Sequence, residues 1–201
     1  MKPDLSVIVL AGGDAKRFGG RKADRPLGSG RLMDRVLDVA HAVSDDVLLL
    51  GRDRGLEAPG VRRLPDESAL RGPLAGLAAG LRAARNAWSL LLPCDMPHAR
   101  TEVVSKLWSA RGNLSSARAV TVHSGGMSQP FHALYHRDVL SEVLAVGHSS
   151  RPSLRSLLAD LAAQGRLLDI HVESLGSHAD GHFLEDVDTP ADFARLLATT
   201  A

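Results

Sequence analysis

One cysteine, Cys94, is all the thiol this chain has. That excludes an internal disulfide framework and any metal site built from several thiolates. An excess of charge is also missing: 24 Lys and Arg stand against 23 Asp and Glu, for a net charge of +1. The balance argues against a nucleic-acid coating protein and a polybasic membrane binder. Long apolar runs are absent as well, since Val47 to Leu50 and Leu90 to Leu92 fall far short of the ~20 residues needed to cross a bilayer. No signal-peptide pattern precedes the run that starts at Leu5. The expectation is a cytoplasmic protein with no nucleic-acid and no membrane partner. What the chain does have is 44% hydrophobic residues over 201 positions, which suits one domain spanning residues 1–201.

Two periodicities alternate along the first half. Leu5 to Leu10 is a short β-branched apolar run closed by Ala-Gly-Gly, the pattern of a buried strand. Leu32, Met33, Val36, Leu37, Ala40 and Val43 then trace one face of a helix. Val47 to Leu50 and Val61 to Leu64 read as strands, Leu74 to Ala84 as a helix, and Trp88 to Leu92 as another strand. The succession β-α-β-β-α-β predicts a mostly parallel sheet covered by helices. Further on, helices are expected over Thr101 to Arg111, Asp138 to Val146 and Pro152 to Ala163, with strands over Arg118 to Val122, Phe131 to Tyr135 and Leu167 to Val172. Thr189 and Pro190 have the residue types of an N-cap and first turn for a final helix.

The segment from Ala11 to Gly30 carries most of the chemistry. Gly12, Gly13, Gly19, Gly20, Gly28 and Gly30 alternate there with Lys16, Arg17, Arg21, Lys22 and Arg25. Glycines let backbone N–H groups approach an anion, and the cations add charge where a polyphosphate would lie. Neither the G-x-x-x-x-G-K-[ST] loop nor a G-x-G-x-x-G fingerprint after the first strand is present. A Rossmann-type oxidoreductase is disfavoured on that ground. Asp95, just past the strand Trp88 to Leu92, is expected at the carboxyl edge of the sheet, where α/β proteins bind ligands. A carboxylate there can coordinate Mg²⁺.

Leu10-Ala11-Gly12-Gly13 with Arg17 and Lys22 resembles the signature loop of nucleotidyltransferases of the molybdenum cofactor guanylyltransferase (MobA-like) kind. The likeness continues at Asp66, at Gly72 to Gly76, at Pro93-Cys94-Asp95-Met96-Pro97, at Gln129 to Tyr135, at Ser153-Leu154-Arg155 and at Asp186 to Pro190. The resemblance implies a doubly wound α/β sheet with helices on both faces, of the nucleotide-diphospho-sugar transferase type. Residues 1–100 would then mainly bind nucleotide and residues 101–201 the acceptor. It implies GTP as donor, a molybdopterin-type phosphorylated acceptor, Mg²⁺ as cofactor, pyrophosphate as leaving group, and contact with proteins of the molybdenum cofactor pathway. Arg17, Lys22 and Asp95 would be catalytic. Leu10, Ala11, Gly12, Gly13, Lys22, Asp66, Gly72, Pro73, Leu74 and Asp95 would contact nucleotide. Asp95 and Asp188 would hold the metal, with Asp186 on the same face of an extended chain as Asp188.

Two departures from the family pattern, Arg21 before the lysine and Gly51 at the end of the second strand, keep cytidylyl transfer or another acceptor open. A non-catalytic nucleotide-binding protein is the alternative of a different class, against which the joint presence of Arg17, Lys22 and Asp95 argues. Arg151 and Arg155 suit either the acceptor's phosphate or a solvated helix face. His132 and His136 share a face of one strand, and His178 and His182 bracket Asp180 in a loop, so neither pair reads as a zinc site. Cys94 reads as a small packing residue.

Overall fold

The computed structural model describes residues 2–11, 22–51, 58–67, 69–178 and 182–200. Chain order is β1 (Leu5–Leu10), β2 (Pro26–Leu27), β3 (Gly30–Arg31), α1 (Leu32–Val43), β4 (Asp46–Leu50), β5 (Arg62–Leu64), α2 (Pro73–Ala83), β6 (Trp88–Pro93), α3 (Thr101–Ala110), β7 (Ala119–Ser124), β8 (Met127–His136), α4 (Leu140–Gly147), α5 (Leu154–Ala163), β9 (Leu167–His171) and α6 (Pro190–Thr200). Seven strands form one sheet in the order β5-β4-β1-β6-β8-β7-β9. Only β8 runs against its neighbours; the other pairings are parallel.

The apolar run of β1 explains its place near the middle of this sheet. All six of its residues are buried, and successive side chains serve opposite layers, as the strand period of two requires. Leu5, Val7 and Val9 join one core with Met33, Val36 and Ala40 of α1 and Val103, Val104 and Leu107 of α3. Ile8 and Leu10 join the other, with Leu74, Leu77 and Leu81 of α2, Val143 of α4 and Leu157, Leu158 and Leu161 of α5. Helices therefore cover both faces, and the expected doubly wound α/β sheet is present.

At the amino edge the buried Asp46 carboxylate accepts from Ser6 Oγ (2.7 Å), Arg62 Nη1 (2.6 Å) and the Arg85 N–H (2.9 Å). Burial opposes its ionisation, but these donors outweigh it and its pKa lies below the ordinary carboxylate value. This edge is a structural network; ligand chemistry is left to the opposite edge.

Between β7 and β8 the register slips. Val120 faces Leu134 while Val122 faces Gln129, so the residues between Gln129 and Leu134 bulge opposite Thr121. Tyr135 Oη donates to Pro130 O at 2.8 Å across that bulge. His132 lies within it with φ 53°, the one non-glycine positive φ among the described residues.

Helix α2 packs close to β1 where Gly76 and Gly80 face it. A Cβ on Gly80 would meet Ile8 Cδ1 at 2.5 Å, Cγ1 at 2.6 Å and Cγ2 at 2.9 Å. Ile8 is β-branched, fully buried and hence unable to swing aside. Gly80→Ala is expected to lose about 1–3 kcal/mol by overpacking, although helix propensity alone favours Ala by roughly 1 kcal/mol. Urea unfolding measures the sign, and a gain in stability would contradict this packing.

Candidate active site

The carboxyl ends of three central strands are laced together by main-chain bonds. Ala11 N–H donates to Leu50 O at 2.7 Å and Cys94 N–H to Leu10 O at 2.9 Å. The chain leaving β6 thus places Asp95 beside the start of the loop that follows β1. Burial pushes the Cys94 thiol up to about 12, with Asp95 adding to the effect. Cys94 is inert packing, as the sequence suggested.

Lys22 reaches this edge from the far side of the glycine-rich segment. Its carbonyl accepts from Arg25 N–H (3.2 Å), Ala23 O accepts from Met33 N–H (3.2 Å), and Arg25 O from Leu32 N–H (2.9 Å), so the stretch is folded onto the first turn of α1. Arg31 reinforces that turn, bonding Asp24 at 3.1 Å and Asp34 at 2.9 Å. Lys22 Nζ then lies 2.8 Å from Asp95 Oδ2 and 3.0 Å from Asp188 Oδ1. Burial works against the ammonium, but bonds to Asp95 and then Asp188 outweigh it and raise its pKa above the ordinary lysine value.

Asp188 is delivered by a C-terminal segment with its own anchor. Val187 is buried with Leu27, Leu32 and Leu196, and its N–H donates to Asp95 O at 3.0 Å. Asp186 and Asp188 flank that anchor. Burial raises the Asp186 pKa, helped by Asp188 and Asp95 and opposed by Lys22. Beyond them Thr189 Oγ1 accepts from Asp192 N–H (3.2 Å), the capping that the sequence implied for α6.

On the other side, Asp66 borders the first turn of α2: a Cβ on Gly76 would lie 3.6 Å from Asp66 Oδ1 and 2.4 Å from Leu10 Cδ2. Gly72, at φ 64°, caps that helix and Pro73 opens it. Leu10 and Leu74 are buried in the core, which leaves only their backbones for a ligand. Gly12, Gly13, Arg17 and Arg21, like Asp180, lie outside the described residues.

The candidate residues that can be placed thus gather at one edge: Lys22, Asp95 and Asp188 in direct contact, with Leu10 and Ala11 beside them and Asp66 and Gly72 to Leu74 at the α2 start. A scan against family models matches residues 7–167 to the MobA-like NTP transferase domain. The chain belongs to that family. It is 34% identical over 169 residues to a probable molybdenum cofactor guanylyltransferase of Nostoc sp., covering 80% of each chain. It is 33% identical to a molybdenum cofactor guanylyltransferase of Pseudomonas putida, covering 81% of this chain and 86% of that one. The solved structure of molybdopterin-guanine dinucleotide biosynthesis protein A from Archaeoglobus fulgidus shares the fold, with a TM-score of 0.79 at 22% identity, covering 96% of this chain and 97% of that one. As a MobA-like chain it is a nucleotidyltransferase with a nucleotide-diphospho-sugar transferase fold. Among its described residues no helix is long and apolar enough to cross a membrane.

The carboxylates of this MobA-like site suit a magnesium ion. Asp95 and Asp188 already converge on one cation, the Lys22 ammonium, and both are hard oxygen donors. Mg²⁺ takes one or two carboxylates and completes its shell with water and phosphate, so this pair of acids would be enough to hold it.

Sequence reasoning placed His132 on a strand and assigned it no role. It is fully buried, its Nε2–H donates to Arg100 O at 3.2 Å, and its ring meets Phe183 edge-on with centroids 5.2 Å apart. Burial pushes its pKa down to about 4 against the pull of backbone acceptors. In the unfolded chain the imidazole returns to roughly 6.5, so that state binds more protons below this value. His132 should therefore cost the fold up to ~3 kcal/mol as pH falls from about 6.5 to 4. Unfolding free energies at pH 7 and pH 4.5 should differ less in His132→Asn than in the parent chain, and equal differences would refute the assignment.

Proposed function

We propose that this nucleotidyltransferase transfers GMP from GTP to the phosphate of a molybdopterin-type acceptor and releases pyrophosphate. The observation that carries the proposal is the Lys22 ammonium held between Asp95 and Asp188 at the carboxyl edge of the sheet. Curated relatives named as guanylyltransferases over most of their length support the choice of donor.

An acceptor phosphate oxygen attacks the α-phosphorus of GTP. The new P–O bond forms as the α–β bridging bond breaks, and its electron pair leaves on pyrophosphate. An ionised phosphate is already nucleophilic, so no side chain has to remove a proton. Positioning and charge neutralisation supply the rate. The Lys22 ammonium is the permanent cation of the site and neutralises triphosphate oxygens, joined by Arg17 and the Gly12 and Gly13 N–H groups. Asp66 and the Gly72-Pro73-Leu74 backbone at the start of α2 form one wall of the base pocket. Asp95 and Asp188 would hold Mg²⁺, which when bound adds positive charge against the phosphate oxygens.

Lys22→Ala and Asp95→Asn are each expected to lower turnover about 10²- to 10³-fold, with small changes in melting temperature because both side chains lie at the edge of the core. Pyrophosphate release from GTP and molybdopterin, with and without EDTA, checks this. Turnover near the parent value in either variant, or indifference to EDTA, would overturn the role of that group. Faster turnover with CTP than with GTP would replace guanylyl by cytidylyl transfer.

A further inference from the structure

We propose that His132 is a positioning residue for this reaction, locking the segment that carries Asp186 and Asp188 against the segment that carries Asp95. The inference rests on the reading of Asp95 and Asp188 as the cation-binding acids.

The two acidic segments come from distant parts of the chain and meet at the end of the sheet. One runs from Asp95 through a turn closed by Ala99 N–H on Met96 O (3.1 Å) to Arg100, the N-cap of α3. The other runs from Phe183, which is fully buried, to Asp188. One direct main-chain bond joins them, from Val187 N–H to Asp95 O. The Lys22 ammonium bridges them through side chains, and the imidazole of His132 supplies a further link at their outer ends. Its Nε2–H bonds the Arg100 carbonyl at the end of the first segment, and its ring abuts Phe183 at the start of the second at 88° between planes.

The backbone at this position points the same way. A left-handed φ of 53° is disfavoured for any side chain bearing a Cβ, and glycine would relieve it. A purely apolar filler would match the burial but leave the Arg100 carbonyl without this donor. The residue present gives up backbone ease and hydration together, and what it gains is contact with both acidic segments. Burial also keeps the ring neutral at pH 7, so that it donates without bringing charge near the acids.

Residues that orient metal-binding groups shift metal affinity by roughly 10- to 100-fold when replaced, whereas residues that only fill space shift the melting temperature. The test is Mn²⁺ binding in the presence of GTP, followed by electron paramagnetic resonance, with the Mg²⁺ dependence of turnover measured beside it. His132→Asn tolerates a positive φ but is too short to span both contacts. It should weaken Mn²⁺ about tenfold and raise the Mg²⁺ needed for half-maximal turnover by a similar factor, with kcat at saturating Mg²⁺ within about threefold of the parent. His132→Gln, whose amide can still reach the Arg100 carbonyl, should recover part of that loss. Phe183→Leu removes the ring contact from the other side, should weaken Mn²⁺ likewise, and decides the matter should the His132 variants not fold. Tyr135→Phe, which breaks only the bond across the bulge, should lower the melting temperature and leave Mn²⁺ affinity alone. Unchanged Mn²⁺ affinity in the His132 and Phe183 variants, whatever their stability, would overturn the proposal. A parent protein that binds no Mn²⁺ with GTP would instead overturn the reading of Asp95 and Asp188, and this inference with it.

Discussion

The contact between Lys22 and the carboxylates of Asp95 and Asp188 is the constraint around which this edge of the molecule is organised. Burial first, and then the nearby Asp188 and Asp95 carboxylates, hinder Asp186 from ionising. An internal cation makes such crowding tolerable, because opposite charge within hydrogen-bond distance favours the ionised form. The same cation ties together three pieces of chain: the stretch before α1, the end of β6 and the segment before α6. In the proposed reaction the lysine would serve phosphate and the two acids a divalent cation.

The layers beneath explain why these groups can be held so accurately. β1 and β6 are buried on both faces, and their ends are linked through Cys94 and Leu10, so Asp95 inherits the rigidity of the sheet. Lys22 is fixed through the first turn of α1, which packs on one face. Val187 is clamped in a satellite cluster with Leu27, Leu32 and Leu196. On the opposite face, Gly76 and Gly80 let α2 approach β1, bringing the helix start and Asp66 up to the strand ends. Rigid elements thus carry the charged groups to the carboxyl ends of the strands, where α/β sheets bind ligands.

Much of this was legible from the residues. β1, α1 and α2 announce themselves by apolar period, because each buries a stripe or a whole run. Asp95 could be placed at a strand end by counting from Trp88. The small hairpin of β2 and β3 could not, since two-residue strands carry no period. β8 extends from Met127, well before its apolar core at Phe131, because Pro130 and the polar residues around it mask a strand that contains a bulge. The meeting of Lys22 with Asp95 and Asp188 spans 73 and 166 positions. No local pattern encodes such a contact, and the family resemblance implies a role for each of the three residues but not the ion pairs between them. His132 was hidden for a related reason: in sequence it is one polar residue in a strand, and its burial and left-handed backbone are products of the bulge.

The proposed reaction requires Lys22 and the two acids to separate when substrate arrives, the lysine going to phosphate and the acids to metal. A crystal structure with a non-hydrolysable GTP analogue and Mn²⁺, read by anomalous scattering, tests it most directly. The expected result is one Mn²⁺ peak bonded to Asp95 and Asp188 and to phosphate oxygens, with Lys22 Nζ on the triphosphate. A nucleotide bound with Mn²⁺ elsewhere, or with Lys22 still bridging both carboxylates, would contradict it.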